Sequence, residues 1–265
     1  RATCIMTYDM DGVLRVHQPN VVRRIDMHPH QTLWDWMEDA QRTMQAQVHP
    51  MSPNAHTQFR TGFVGYWGYE LKDESLGLAP LSSKRYEPYS GTGFDRMKLP
   101  AAQWAFCDHA LCLDHATNTW MAYALVDDGG DTCGPLAELE THGVRLGMPA
   151  AEAEAWLTQA QRAVDSLQRM ADVPPASLKV HTVDDAGVYK DRIEACRRYI
   201  ASGESYELCL TTQFEGALPF SPSYASYFSL YCALRQKNPA PFSAYVELVS
   251  SDGSTPQAIL STSPE

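Results

Sequence analysis

The chain is short of positive charge: 21 lysines and arginines stand against 32 aspartates and glutamates, leaving a formal net charge of −11. The basic residues fall in ones and twos rather than in a stripe that neutralises phosphates, so a nucleic-acid partner is not expected. An acidic substrate would need a local positive pocket. No apolar run approaches the roughly 18 residues needed to cross a bilayer, and the amino terminus lacks the basic, apolar, small-residue order of a signal peptide. A membrane partner is therefore not expected, and the protein reads as soluble. The seven cysteines, Cys4, Cys107, Cys112, Cys133, Cys196, Cys209 and Cys232, contain no CxxC spacing, and several sit in apolar runs. They read as reduced core thiols of a cytosol-like compartment. No internal repeat is visible.

Core material, in contrast, is ample. With 44% hydrophobic and 20% charged residues over 265 positions, the composition is globular, enough for one large domain or two ordinary ones. Leu33, Trp36, Met37, Ala40 and Met44 recur at helical spacing with Asp35, Glu38 and Asp39 between them, which predicts an amphipathic helix. The aromatic and glycine-rich run TGFVGYWGYELK, 61–72, predicts a strand whose glycines admit a close backbone neighbour. Leu111 to His115 and Trp120 to Val126, joined by Ala116, Thr117 and Asn118, read as a hairpin, and the DDGGDTCGP run from Asp127 as a surface loop. Trp156, Ala160, Ala163, Leu167 and Met170 predict a helix from Ala150 to Ala171, ending before Pro174-Pro175. That polar, proline-bearing stretch is the expected linker.

Beyond it, Tyr189, Ile193, Cys196 and Ile200 mark a helix that stops at Gly203. A further helix is expected from Ser221-Pro222, a cap followed by a proline at the first helical position, to about Lys237. NPAPFSAYVELV and AILSTS then read as a turn with a strand and a second strand. The element order is α+β. Because neither half has enough helices to cover its strands alone, strands of both regions are expected in one β-rich core. The chain opens on Arg1 and closes on STSPE just after a strand, and is expected to be a piece of a longer protein.

Several patterns carry little chemistry. His28 and His30 lack a third convergent ligand, so they read as a polar loop. Gly91 to Gly93 lacks the rest of a phosphate-binding fingerprint, and Cys133 has no nucleophile elbow around it. More informative is SGESYELCLTTQF, 202–214, where a turn glycine precedes an alternating run expected to form a half-buried strand. Its polar face carries Glu207, Thr211 and Gln213 rather than solubilising lysines.

This run belongs to a larger resemblance. Val188 to Glu265, with a helix ending YIASGESYELCLTTQF, a helix ending LRQKNPAPFSAY and a strand closing on SPE, resembles the first part of the catalytic domain of the chorismate-utilising enzymes. The GFVGYWGYELK segment and the Arg1 to Met6 strand are similar to the amino-terminal domain of the same family. The resemblance implies layered β-sheets flanked by helices, with an amino-terminal region at 1–172, a linker at 173–183 and the start of the catalytic domain at 184–265.

Family members that add water carry a lysine where this sequence has Glu207. The wording SYELCLTTQ most resembles the aminodeoxychorismate synthase branch, with the anthranilate synthase branch second. The resemblance thus implies amination of chorismate, with ammonia from a glutamine amidotransferase domain or subunit. Glu207 is assigned to orienting substrate or ammonia by hydrogen bonds, although an exposed strand residue is the plainer reading. Thr211 and Gln213 are assigned to substrate binding. Glu265 matches the glutamate that helps the C4 hydroxyl leave, a role that needs a poorly solvated carboxyl group. Asn238, Pro239, Pro241, Phe242 and Ser243 resemble a segment lining an amino-acid pocket, with packing between sheets as an equal alternative.

The Mg2+ that the resemblance implies has its glutamate ligands, and the family's lysine segment its place, beyond Glu265. The chain by itself is therefore expected to be inactive. A reading of another class, a non-catalytic module that binds an aromatic amino acid or docks a partner, also fits the retained motifs. A cytoplasmic location is expected, with a plastid for a plant or algal source.

Overall fold

The structure is a computed structural model that describes residues 4–18, 21–28, 30–49, 61–77, 99–168, 178–248 and 256–264; Glu265 and Gly91 to Gly93 lie outside them. Of these, the residues up to 168 form one compact unit and those from 178 onward a second.

In the first unit, β1 (Cys4–Tyr8), β2 (Val13–Gln18), β3 (Val21–Asp26), β4 (Gly62–Trp67) and β5 (Ala102–Cys107) build an antiparallel sheet of order β3-β2-β1-β5-β4. Its register aligns one apolar face. Met6 pairs with Val16 on one side and Trp104 on the other, while Tyr8 pairs with Leu14 and Ala102. All six are buried. Helix α1 (Leu33–Gln47) contributes Leu33, Trp36, Met37 and Ala40 to the same cluster, as its three-and-four spacing predicts. It opens on a reciprocal cap: the Thr32 hydroxyl accepts from the Asp35 N–H at 3.2 Å, and the Asp35 carboxylate accepts from the Thr32 N–H at 2.8 Å. The Thr32 N–H, and then the Thr32 hydroxyl, which donates to Asp35 Oδ2 at 2.7 Å, hold the Asp35 carboxyl below its ordinary range.

The glycine expectation holds at one position in β4. A Cβ on Gly65 would lie 1.9 Å from the Gln103 carbonyl oxygen, so only glycine lets β4 approach β5. A short turn at Tyr69–Leu71 leads into α2 (Lys72–Ser75). The predicted hairpin forms from β6 (His109–Asp114) and β7 (Thr119–Ala124), with Asn118 in the left-handed region at φ 54°. Helices α3 (Gly134–Thr141) and α4 (Ala150–Asp165) complete the unit, and Trp156 of α4 packs on His109 at 4.8 Å between ring centroids.

The second unit contains β8 (Val180–Thr182), α5 (Ala186–Ala201), β9 (Phe214–Gly216), α6 (Tyr224–Lys237), β10 (Phe242–Leu248) and β11 (Gln257–Ser263). β8 pairs with β9, and β10 with β11, both antiparallel. Strand β8 thus falls within the stretch 173–183 expected as a linker, of which 173–177 lie outside the described residues. Helix α6 is tied to the β10–β11 segment by the Tyr224 hydroxyl, which donates to the Leu248 carbonyl at 2.8 Å, and by the Tyr227 hydroxyl, which donates to the Pro256 carbonyl at 3.0 Å.

Several expectations are corrected. The half-buried strand over 202–214 is not formed: only Phe214–Gly216 pairs, and 205–213 has no ladder among the described residues. Alternation supplies a tendency to extend, but a strand exists only where a second backbone takes up its N–H and C=O groups. Helix α4 stops at Asp165 rather than Ala171, and Leu167 is 61% exposed. Helix α6 is capped by Ser223, whose hydroxyl accepts from the Ser226 N–H at 3.1 Å, so Pro222 precedes the cap rather than following it. The apolar stripe of α5 buries no residue. Of the seven free cysteines only Cys4 is buried, while Cys133 and Cys209 are exposed. Among the described residues, the main buried cluster gathers side chains of the first unit, from Cys4 to Val144.

Candidate active site

Helix α5 begins where the Asp185 carboxylate accepts from the Gly187 N–H at 2.7 Å and ends before Gly203, which takes φ +77°. These two signals set where the chain turns back. The returning segment then lies along the strand that precedes the helix. Phe214 pairs with Thr182, and the Val183 N–H donates to the Gln213 carbonyl at 2.9 Å. One residue further, the Asp184 carboxylate accepts from the Thr212 hydroxyl at 2.8 Å and from Arg192 Nη1, on α5, at 2.9 Å. Thr212 is half-buried against Asp184, whereas Thr211 and Gln213 on either side of it are exposed. Glu207 is also exposed, and its carbonyl accepts from the Ser205 hydroxyl. The three polar residues singled out in the sequence are thus presented on a segment held by its neighbours rather than by a strand.

The second predicted group sits around the end of α6. The Asn238 N–H caps the helix by donating to the Leu234 carbonyl at 2.8 Å, and its side chain donates to Thr262 Oγ1 on β11 at 2.9 Å. Phe242 pairs with Ser263, next to Pro264. Asn238 therefore ties the helix end to the strand that runs into Ser263-Pro264-Glu265. Pro239 and Pro241 are exposed, Phe242 is 64% exposed, and half-buried Ser243 donates to the Ala240 carbonyl at 2.9 Å. This group presents surface and hydrogen-bonding groups of its own turn. Nearby, Phe228, Tyr231 and Tyr245 form a ring cluster with centroids 5.3 to 6.2 Å apart. Burial, and then the Glu247 charge, push the Tyr245 phenol up to about 12.

Glu265, the predicted acid, lies outside the described residues. Among the described residues no three His, Cys, Asp or Glu side chains converge to hold a metal ion; the glutamates that the resemblance assigns to Mg2+ are expected beyond Glu265. No helix among the described residues is long and apolar enough to cross a membrane. A cavity of about 350 Å3 opens in the first unit between Met44, Val48, Phe106 and Leu136, with Asp127 and Asp131 at its edge; none of the predicted site residues lines it.

Sequence reasoning missed Asp184, Arg192, Thr212 and Thr262. The one available signal was the pair Asp184-Asp185 before a helix, where a single carboxylate suffices as the cap and the other is left for a second partner.

The family model of the chorismate binding enzymes matches residues 6–265. The chain is 31% identical to an aminodeoxychorismate synthase of Streptomyces griseus over 236 residues, which is 87% of this chain and 26% of that protein. It is 28% identical to a chloroplastic aminodeoxychorismate synthase of Arabidopsis thaliana, covering 78% of this chain and 19% of that protein. An anthranilate synthase alpha subunit 2 of Oryza sativa subsp. japonica is 24% identical, over 78% of this chain and 32% of that protein. Against Streptomyces griseus the chain thus spans about a quarter of its relative's length. Anthranilate synthase component I from Streptococcus pneumoniae TIGR4 superposes on the whole chain and 49% of its own length with a TM-score of 0.58 at 16% identity, a likeness of fold. The α+β architecture and the family model agree: the chain belongs to the chorismate binding enzyme family.

Proposed function

We propose that the protein aminates chorismate at C4: the C4–O bond breaks, a C4–N bond to ammonia forms, and water leaves, giving 4-amino-4-deoxychorismate. The observation that carries this reading is the 31% identity to an aminodeoxychorismate synthase over 87% of the chain. Glu207 supports it, because a carboxylate there orients ammonia or substrate by hydrogen bonds without activating water. Thr211 and Gln213, exposed on the segment beside Asp184, are the groups proposed to meet the substrate. Glu265 is proposed as the proton donor to the departing hydroxyl, and a glutamine amidotransferase domain or subunit as the ammonia source.

The second reading, amination at C2 with loss of pyruvate, is favoured by the 24% identity to an anthranilate synthase alpha subunit. Supplying the full-length protein with chorismate and ammonium separates the two. Aminodeoxychorismate without pyruvate supports the first reading; anthranilate with stoichiometric pyruvate replaces it by the second. Repeating the assay with glutamine in place of ammonium tests the amidotransferase.

A further inference from the structure

We propose that Asp184 is a positioning residue that sets the pose of Thr211 and Gln213; only the identity of the ligand they meet rests on the chorismate reading. The Asp184 side chain is 8% exposed, and both of its oxygens are engaged. Oδ1 accepts from Arg192 Nη1 at 2.9 Å, and Oδ2 accepts from the Thr212 hydroxyl at 2.8 Å. A carboxylate taken out of water needs such partners, and the guanidinium supplies the opposite charge.

The two contacts have different consequences. Arg192 stands eight residues further on, within α5, so its bond fixes the carboxylate to the helix face. Thr212 lies 28 residues away on a segment that makes no ladder of its own before Phe214, so its bond fixes that segment to the carboxylate. The adjacent bond from the Val183 N–H to the Gln213 carbonyl extends the Thr182–Phe214 pairing by one position. Thr212 is half-buried where its hydroxyl meets Asp184, while its chain neighbours Thr211 and Gln213 are exposed, so the bond at 212 fixes the backbone from which both project. Without the Thr212 hydroxyl, 211–213 keeps, among the described residues, the backbone bond at Gln213, and the side-chain directions on either side of 212 are no longer set.

The test uses the full-length protein with Thr212→Val, which keeps the shape and removes the donor, and Thr212→Ser, which restores it. Hydrogen–deuterium exchange is followed over 205–216, with α1 and β5 peptides as a folding control. Steady-state rates are measured against chorismate at saturating ammonium. We expect T212V to speed exchange across 205–213 and to raise KM about tenfold, the worth of one hydrogen bond to a charged group. The turnover number should stay within about twofold, since reacting groups are untouched. T212S should return both readouts to wild type. Unchanged exchange in T212V overturns the proposal whatever the substrate. Faster exchange with unchanged KM overturns the positioning role. If the wild-type protein leaves chorismate untouched, the chorismate reading falls, and the exchange comparison still decides whether the Asp184 contact sets the pose of 211–213.

Discussion

The Tyr8 hydroxyl donates to Glu74 Oε2 at 2.7 Å across 66 residues of sequence. The other oxygen of the same carboxylate accepts from the Leu33 N–H at 2.6 Å, at the first residue of α1. Glu74 thereby joins strand β1, helix α1 and the short α2, and places a negative charge at the positive end of α1.

Glu74→Ala should lower the stability of the first unit by about 1–3 kcal/mol, the range for losing hydrogen bonds to a charged, partly buried group. Glu74→Gln, which keeps one acceptor, should cost less. Denaturant midpoints of the three proteins measure this, and equal midpoints would show that the bridge contributes nothing.

Stability should fall at alkaline pH. Burial pushes the Cys4 thiol from 9.0 up to about 12, and burial, followed by the Glu74 carboxylate, raises the Tyr8 phenol. Both groups hold their protons more tightly folded than unfolded. Their contributions are therefore complete below the unfolded values, and are lost as pH rises from about 9 for Cys4 and from about 10 for Tyr8. The Cys4 slope is at most about 1.4 kcal/mol per pH unit. Urea unfolding from pH 8 to 11 checks it, and a Cys4→Ala protein with an unaltered slope would refute the assignment.

Cys133 and Cys209 are exposed whereas Cys4 is 2% exposed. A thiol-specific reagent at neutral pH should label Cys133 and Cys209 first and Cys4 only as fast as the first unit opens. Peptide mapping by mass spectrometry reads the order, and early labelling of Cys4 would contradict the β1 packing.

Gly65→Ala should destabilise the sheet by roughly 3 kcal/mol or more, because its Cβ has no room 1.9 Å from the Gln103 oxygen. Gly77→Ala provides the contrast: φ is +61° but nothing lies within 4 Å of the added carbon, so only backbone strain of about 1 kcal/mol is expected. Thermal midpoints of both variants decide whether space or conformation sets the need for glycine in β4.

The candidate site was legible in part. Thr211, Gln213 and Glu207 stood out because polar residues replaced lysines on an alternating run, and Asn238 because NPAPFSAY resembles a pocket-lining segment of the family. Asp184 did not stand out, since its partner Thr212 is 28 positions away and a threonine hydroxyl carries no mark of the carboxylate it will meet.

By itself the sequence determined the local elements and the family. The spacing of Leu33, Trp36, Met37 and Ala40 specifies a helix face, Asn118 a turn and Gly203 a helix end, because each is set by conformational preferences within a few residues. Tertiary structure alone decided that 205–213 is not a strand, that the α5 stripe is left unburied, and that Glu74 and Asp184 become bridges. Each of these depends on which distant backbone or side chain arrives alongside. Alternation and charge set only a tendency to pair, and the partner is supplied by the packing of the chain around it.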